Sequence, residues 1–234
     1  MKLTEFSEIW GVVGPQQNRT KCPEYRAYNA YKSLKIAIEK GIEGDVVELG
    51  VWKGGISALF GRLCEDEGKG RVAWAFDSFQ GMSECNEHDM AEGEDAVRLA
   101  REPGVQLHNF DLNDFNHTCF DLMKLKTSCV RAVPGWVNDT LPRYAPQIKA
   151  ISVLRVDLDW HEPTLDAFNY LYDKVSPGGY VICDDFGYWK GARKAILDFR
   201  NARGIEDPII QTPNIDGSPL PDIKVGTEHY WIKS

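Results

Sequence analysis

Two apolar runs in this chain end abruptly in carboxylates. Residues 153–159 read V-L-R-V-D-L-D, and residues 181–185 read V-I-C-D-D. Successive side chains of a strand point to opposite faces, so Asp157 and Asp159 are expected on one side and Leu158 on the other. In an open parallel sheet, ligands bind just beyond the carboxyl ends of the strands, which is where these acids would fall. The expectation is a divalent-cation site in an enzyme.

The rest of the chain sets the frame for that site. With 234 residues, 43% of them hydrophobic, and no Pro- or Ser-rich linker, a single domain over 1–234 is expected, with 1–40 an N-terminal arm and helix. A formal net charge of -8, with Lys and Arg scattered among acids, offers no footprint for nucleic acid. The start, M-K-L-T-E-F-S-E-I-W, lacks the apolar core of a secretory signal, and no stretch approaches the roughly 20 apolar residues of a membrane span. A soluble cytoplasmic protein with no membrane partner is the expectation. The six cysteines include no C-x-x-C pair, which argues against zinc or a disulfide framework.

Helical spacing of Tyr28, Tyr31, Leu34 and Ile38 predicts a helix over 24–40, preceded by an irregular arm at 11–23 that either covers a site or is a loose terminus. Strands are predicted at 45–51, 71–79, 130–133, 151–159, 179–185, 208–212 and 229–233. Helices are predicted at 56–65, after Asp114 through Met123 to Lys126, at 165–175, and at 192–203 with Ile196, Leu197 and Phe199 inward. S-P-G-G at 176–179 reads as a helix stop. Strands alternating with helices give an α/β, doubly wound, mostly parallel seven-stranded sheet, with the last strand antiparallel.

The first strand runs into W-K-G-G and a helix, the opening of a nucleotide-binding unit, although E-x-G-x-x-x-G-G departs from the dinucleotide fingerprint. Glu48 lies inside the apolar strand, where a carboxylate needs donors. The α-amino group of an amino-acid-like cofactor would supply them; the alternative is an acid capping a neighbouring loop. Asp77 ends the second strand, a position suited to a ribose diol. Together these residues make an adenosyl cofactor the economical reading. Gly135 and Trp136 stand at the end of the third strand, where an adenine ring needs a flat apolar neighbour, and Trp136 serves equally well as core.

G-D-V-V-E-L-G-V-W-K-G-G, F-D-S-F-Q-G-M, G-W-V-N-D-T-L-P, L-R-V-D-L-D and S-P-G-G-Y-V-I-C-D-D-F, in this order, resemble the macrocin O-methyltransferase family. The resemblance runs over nearly the whole chain. It implies a class I methyltransferase, Rossmann-like fold and transfer of a methyl group from S-adenosylmethionine to sugar hydroxyls of natural products, with Mg²⁺. Carried over by position, it implies Asp157, Asp184 and Asp185 as metal ligands and Asp159 as general base. It also implies Glu48, Gly50, Ser57, Asp77 and Ser78 as cofactor residues, and a homo-oligomer.

The family pattern after the second acid resembles D-L-Y-E-S-T, whereas this chain reads D-W-H-E-P-T. His161 therefore joins Asp159 as a catalytic candidate, because histidine titrates near neutrality; a polar surface histidine is the alternative. Arg155 is read as a structural counter-charge. The expected function is a metal-dependent O-methyltransferase acting on a small-molecule hydroxyl. Its rivals are a catechol-like phenol methyltransferase, a nucleotide-binding oxidoreductase and a noncatalytic partner subunit.

Overall fold

The computed structural model describes residues 2–89, 110–220 and 227–234. Its strands are β1 (Asp45–Leu49), β2 (Ala73–Asp77), β3 (Val130–Pro134), β4 (Ile151–Val156), β5 (Val175–Cys183), β6 (Ile210–Gln211) and β7 (His229–Ile232). They form a seven-stranded sheet in the order β3-β2-β1-β4-β5-β7-β6. The first five run parallel, β7 lies antiparallel to β5, and β6 lies antiparallel to β7. The doubly wound sheet with an antiparallel finish is therefore the one expected.

The helices are α1 (Phe6–Val13), α2 (Glu24–Glu39), α3 (Gly55–Glu67), α4 (Leu112–Asn116), α5 (Val137–Tyr144), α6 (His161–Leu171) and α7 (Lys190–Arg203). Strands covered on both faces must be apolar at successive positions rather than at alternate ones. Here Val46, Val153 and Ile182 join Leu34 and Phe60 in one core. Their strand neighbours Val47, Leu154 and Val181 join Phe168, Phe199 and Trp231 in the other. Burying one such side chain stabilises the fold by roughly 1.5–3 kcal/mol. No described helix is long and apolar enough to cross a membrane.

Several boundaries differ from those predicted. The segment at 11–23 is not wholly irregular, since α1 reaches Val13 and a 3₁₀ turn covers Pro15–Gln17. Phe6, Ile9 and Val13 are buried, a spacing of three and four that the Gly and Pro around it hid. Met123 to Lys126 lies beyond the helix: α4 continues as a π turn over His117–Leu122, and Lys124 then adopts φ 53. S-P-G-G begins β5 instead of ending a helix, because α6 stops at Leu171 and a 3₁₀ turn covers Tyr172–Lys174. The glycines supply a bulge against β4, where the register jumps between Ile151 and Val153. Leu197 is 36% exposed, whereas Ile196 and Phe199 are buried. One residue step turns a helix by about 100°, which carries Leu197 off the inward stripe. The polar stretch at 80–95, too long for an ordinary connection between a strand and a helix, falls within the described residues only as far as residue 89.

Gly61 sets how closely α3 approaches the sheet. A β-carbon there would meet Val130 Cγ2 at 2.1 Å and Leu125 Cδ1 at 2.8 Å. Alanine normally favours a helix over glycine by about 1 kcal/mol, but overpacking costs about 1–3 kcal/mol. Gly61→Ala is therefore expected to lower the urea midpoint with little change in the slope of unfolding. A raised midpoint would show that α3 is free to shift away from β3.

Candidate active site

Ladder hydrogen bonds continue past the strand ends and place the functional loops. The Asp157 N–H donates to Leu49 O at 2.9 Å, Asp184 N–H to Val156 O at 3.0 Å, and Gly50 N–H to Phe76 O at 2.8 Å. These loops meet where the strand order reverses between β1 and β4, the topological switch point. A cavity of about 650 Å³ opens there, lined by Gly50, Asp77, Ser78, Trp136, Asp157, Asp159, Asp184 and Asp185 among others.

Gly50 has no substitute at its position. It adopts φ 81, and a β-carbon would fall 1.7 Å from the Asp157 carbonyl oxygen. The chain then turns so that Val51 and Trp52 N–H groups donate to Asp77 Oδ2 at 2.8 and 3.0 Å, while Phe79 N–H donates to Oδ1 at 2.8 Å. These bonds hold Trp52 at φ 50, a left-handed conformation uncommon outside glycine. Burial raises the pKa of Asp77, and the three N–H donors oppose that rise. Glu48 and Ser57 do not line the cavity. They are buried beside it, where the Ser57 hydroxyl donates to Glu48 Oε2. Burial pushes Glu48 up to about 7, against the pull of Arg155 and Ser57. Gly135 also lies off the lining, where its N–H donates to Asp77 O at 2.9 Å.

The acids sit beyond the strands, not in them, because β4 ends at Val156 and β5 at Cys183. Strict alternation consequently fails at Asp159, whose φ is 62. Its N–H donates to Asp185 Oδ2 at 2.9 Å, and Trp160 N–H donates to Leu158 O at 2.6 Å. Asp157, Asp184 and Asp185 each offer an oxygen within 4.8 Å of the others. Arg155, 1% exposed, is their counter-charge as expected. Its Nη1 donates to Asp157 Oδ2 at 2.8 Å and Glu48 Oε1 at 3.2 Å, and its Nη2 to Asp184 Oδ1 at 2.6 Å. A second guanidinium, that of Arg26 on α2, donates to Asp184 Oδ2 at 2.7 Å.

The electrostatics divide the cluster. Burial works to raise Asp184, yet Arg155 and Arg26 hold it below the ordinary carboxylate value. Burial and the neighbouring charge of Asp184 lift Asp157 to about 6. Burial and Asp157 lift Asp159 to about 8, and burial and Asp159 raise Asp185 well above its ordinary value. With all groups ionised, the four aspartates and Glu48 outnumber the two guanidinium groups that pair with them, so the cluster carries surplus negative charge.

His161 does not join them. It starts α6, and Pro163 rather than His161 lines the cavity. Its N–H donates to Asp89 Oδ1 at 2.7 Å, and its ring faces His88 at a centroid distance of 4.3 Å. Burial, then His88 and Lys194, lower its pKa. The turn at Asp159 and Trp160 swings the next side chain away from the acids. Trp160 itself packs with Trp189, Met82 and Cys85, and its indole donates to Ser83 O at 2.9 Å.

Several lining residues escaped the sequence reading. Lys21, Cys22, Pro23 and Arg26 come from the arm and α2, so the arm does cover the site. Tyr188 and Trp189 follow Asp185 by three and four residues, a proximity that offered a usable signal.

A glycine loop after β1, an acid ending β2 and an acid cluster at the switch point define a class I methyltransferase architecture. The family model for macrocin-O-methyltransferase (TylF) matches residues 8–218. A tetracenomycin-C rhamnosyl 4'-O-methyltransferase from Streptomyces olivaceus is 36% identical over 197 residues, covering 82% of this chain and 70% of the relative. Demethyldecarbamoylnovobiocin O-methyltransferase from Streptomyces niveus is 37% identical, covering 79% and 69%. Among solved structures, the O-methyltransferase NovP superposes with a TM-score of 0.75 at 30% identity, covering 92% of this chain and 82% of that one. The chain belongs to the macrocin O-methyltransferase family and is an O-methyltransferase.

Removing one member of a buried ion cluster strands the others, at a cost of about 3–5 kcal/mol. Arg155→Met is expected to lose that much stability in urea unfolding. Arg155→Lys should recover only part, because an ammonium cannot reproduce the forked bonds to three carboxylates. Stability within 1 kcal/mol of the parent for Arg155→Met would show that the acids are neutral in the folded protein.

Proposed function

We propose that this enzyme transfers the methyl group of S-adenosylmethionine to a hydroxyl of a small molecule, a sugar moiety of a natural product. One observation carries the reading: residues suited to an adenosyl cofactor (Gly50, Asp77, Ser78 and Trp136) and four catalytic-grade acids line the same cavity. Glu48 and Ser57 support the glycine loop from beneath. The sugar acceptor rests on relatives named as a rhamnosyl 4'-O-methyltransferase and a mycinamicin III 3''-O-methyltransferase.

The donor set fits a hard divalent cation. Asp157, Asp184 and Asp185 provide only oxygen ligands, and carboxylates in their neighbourhood outnumber the two guanidinium groups. Mg²⁺ bound by these three residues would supply Lewis-acid polarisation of an acceptor oxygen. The protein's own residues do the rest. Asp159 accepts the acceptor's hydroxyl proton, and the oxygen's electron pair forms the new bond to the methyl carbon. The carbon–sulfur bond breaks with its electrons passing to sulfur, leaving S-adenosylhomocysteine. Transfer without a covalent intermediate needs donor and acceptor held in line, and one cavity lined by both sets of residues suits that requirement. Homo-oligomerisation follows the family resemblance.

Asp159→Asn should lower kcat by about 10²–10⁴, the range for removing a general base, while S-adenosylhomocysteine binding in calorimetry stays near that of the parent. Equal loss of both would make Asp159 a binding residue instead. The companion test is turnover of sugar and catechol acceptors with Mg²⁺ or with EDTA. Sugar methylation that EDTA abolishes and Mg²⁺ restores is expected; methylation unaffected by EDTA overturns the metal assignment, and preference for catechol overturns the acceptor assignment.

A further inference from the structure

Trp52, a residue of the cavity lining, has cations about it. Lys21 and Lys53 place their ammonium groups 4.9 and 5.1 Å from the Trp52 ring centroid. Arg19 and Lys53 both approach a single carboxylate oxygen, Asp114 Oδ1, at 3.7 and 3.6 Å. Among the described residues Lys21 is left with no carboxylate of its own, and it lines the cavity together with Trp52. Arg19 and Lys53 thus share one acid and Lys21 has none among the described residues, in a chain whose formal net charge is -8 and whose cavity also holds an acid cluster.

The placement is built, not incidental. The Arg19 carbonyl accepts the Gly55 N–H at 3.0 Å, and a β-carbon on Gly55 would meet the Thr20 β-carbon at 2.9 Å. The residues just before Lys21 are therefore fixed on the start of α3. An alkyl-ammonium side chain anchored this way and laid over an indole loses less freedom on binding than one extended into water.

We propose that Lys21 is an anion-binding residue of the cavity, taking a carboxylate or phosphate group of a bound ligand. The acids on Asp157, Asp159, Asp184 and Asp185 repel the same group, so the two walls together orient a ligand that carries charge at one end. Two sources share this chemistry. One is the carboxylate of the methyl donor's amino-acid portion, and this arm rests on the methyl-transfer reading. The other is a phosphate carried by the acceptor.

Calorimetry on the full chain tests the proposal with the parent, Lys21→Met and Lys21→Arg. The probes are S-adenosylhomocysteine, its decarboxylated analogue, and inorganic pyrophosphate added to protein saturated with S-adenosylhomocysteine. If the cofactor is the source, Lys21→Met weakens S-adenosylhomocysteine about tenfold, the scale of one charge-assisted hydrogen bond. The analogue is then unaffected and Lys21→Arg restores binding. If the acceptor is the source, pyrophosphate binds the parent and loses about tenfold in Lys21→Met. Unchanged affinity of Lys21→Met for both anions overturns the proposal. Failure of the parent to bind S-adenosylhomocysteine defeats the methyl-transfer reading instead, and pyrophosphate then tests Lys21 on the protein alone.

Discussion

A buried guanidinium organises this protein. Arg155, on the central strand β4, reaches Glu48 on β1, Asp157 beyond its own strand and Asp184 beyond β5. Three neighbouring chain segments are tied to one planar fork at the point where a ligand cavity opens. Such an arrangement is not primarily a source of stability. Desolvating each ion costs several kcal/mol, and an attraction of about 4 kcal/mol per close pair at an effective dielectric near 20 only offsets it. What the fork contributes is position: it holds carboxylates together that would otherwise separate, and it leaves them with unspent negative charge.

That charge imbalance links the fold to the chemistry. Asp184 is satisfied by Arg155 and Arg26, whereas the charges nearest Asp185 and Asp159 are those of other acids. Surplus negative charge beside three convergent oxygens is the donor set that the proposed divalent cation would complete. Lys21 and Trp52 line the same cavity, and Lys21 with Lys53 beside the indole brings the complementary sign. The cavity is therefore polarised by residues from different parts of the chain, an arrangement that orients a ligand before any close contact forms.

The order of strands and helices was legible because both faces of the sheet are covered, and covered strands read as short apolar runs bounded by Gly, Pro and acids. The metal-ligand candidates were legible for the same reason: an acid ending an apolar run has few structural roles. Three features were not. α1 is short and follows polar residues, so its buried stripe of Phe6, Ile9 and Val13 carries little periodic signal. Glu48 was read as a carboxylate whose donors a cofactor amino group would supply, and sequence could not show that Ser57 and Arg155 donate to it. His161 looked close to Asp159 because it is two residues away. Distance along the chain says nothing about direction once the backbone leaves the strand.

That departure is what makes the site workable. Had β4 continued in extended form through Asp159, the side chains of Asp157 and Asp159 would project in parallel, about two strand residues apart, and both would serve as equivalent ligands. The left-handed turn at Asp159, secured by its N–H bond to Asp185, breaks the equivalence. Asp157 remains with Asp184 and Asp185 as a convergent set, while Asp159 lies outside that set yet still lines the cavity. A single strained residue thus separates Asp159, the proposed proton acceptor, from the three acids proposed to hold a cation. The strain is sustained because Asp185, itself fixed beyond β5, accepts the bond that stabilises it.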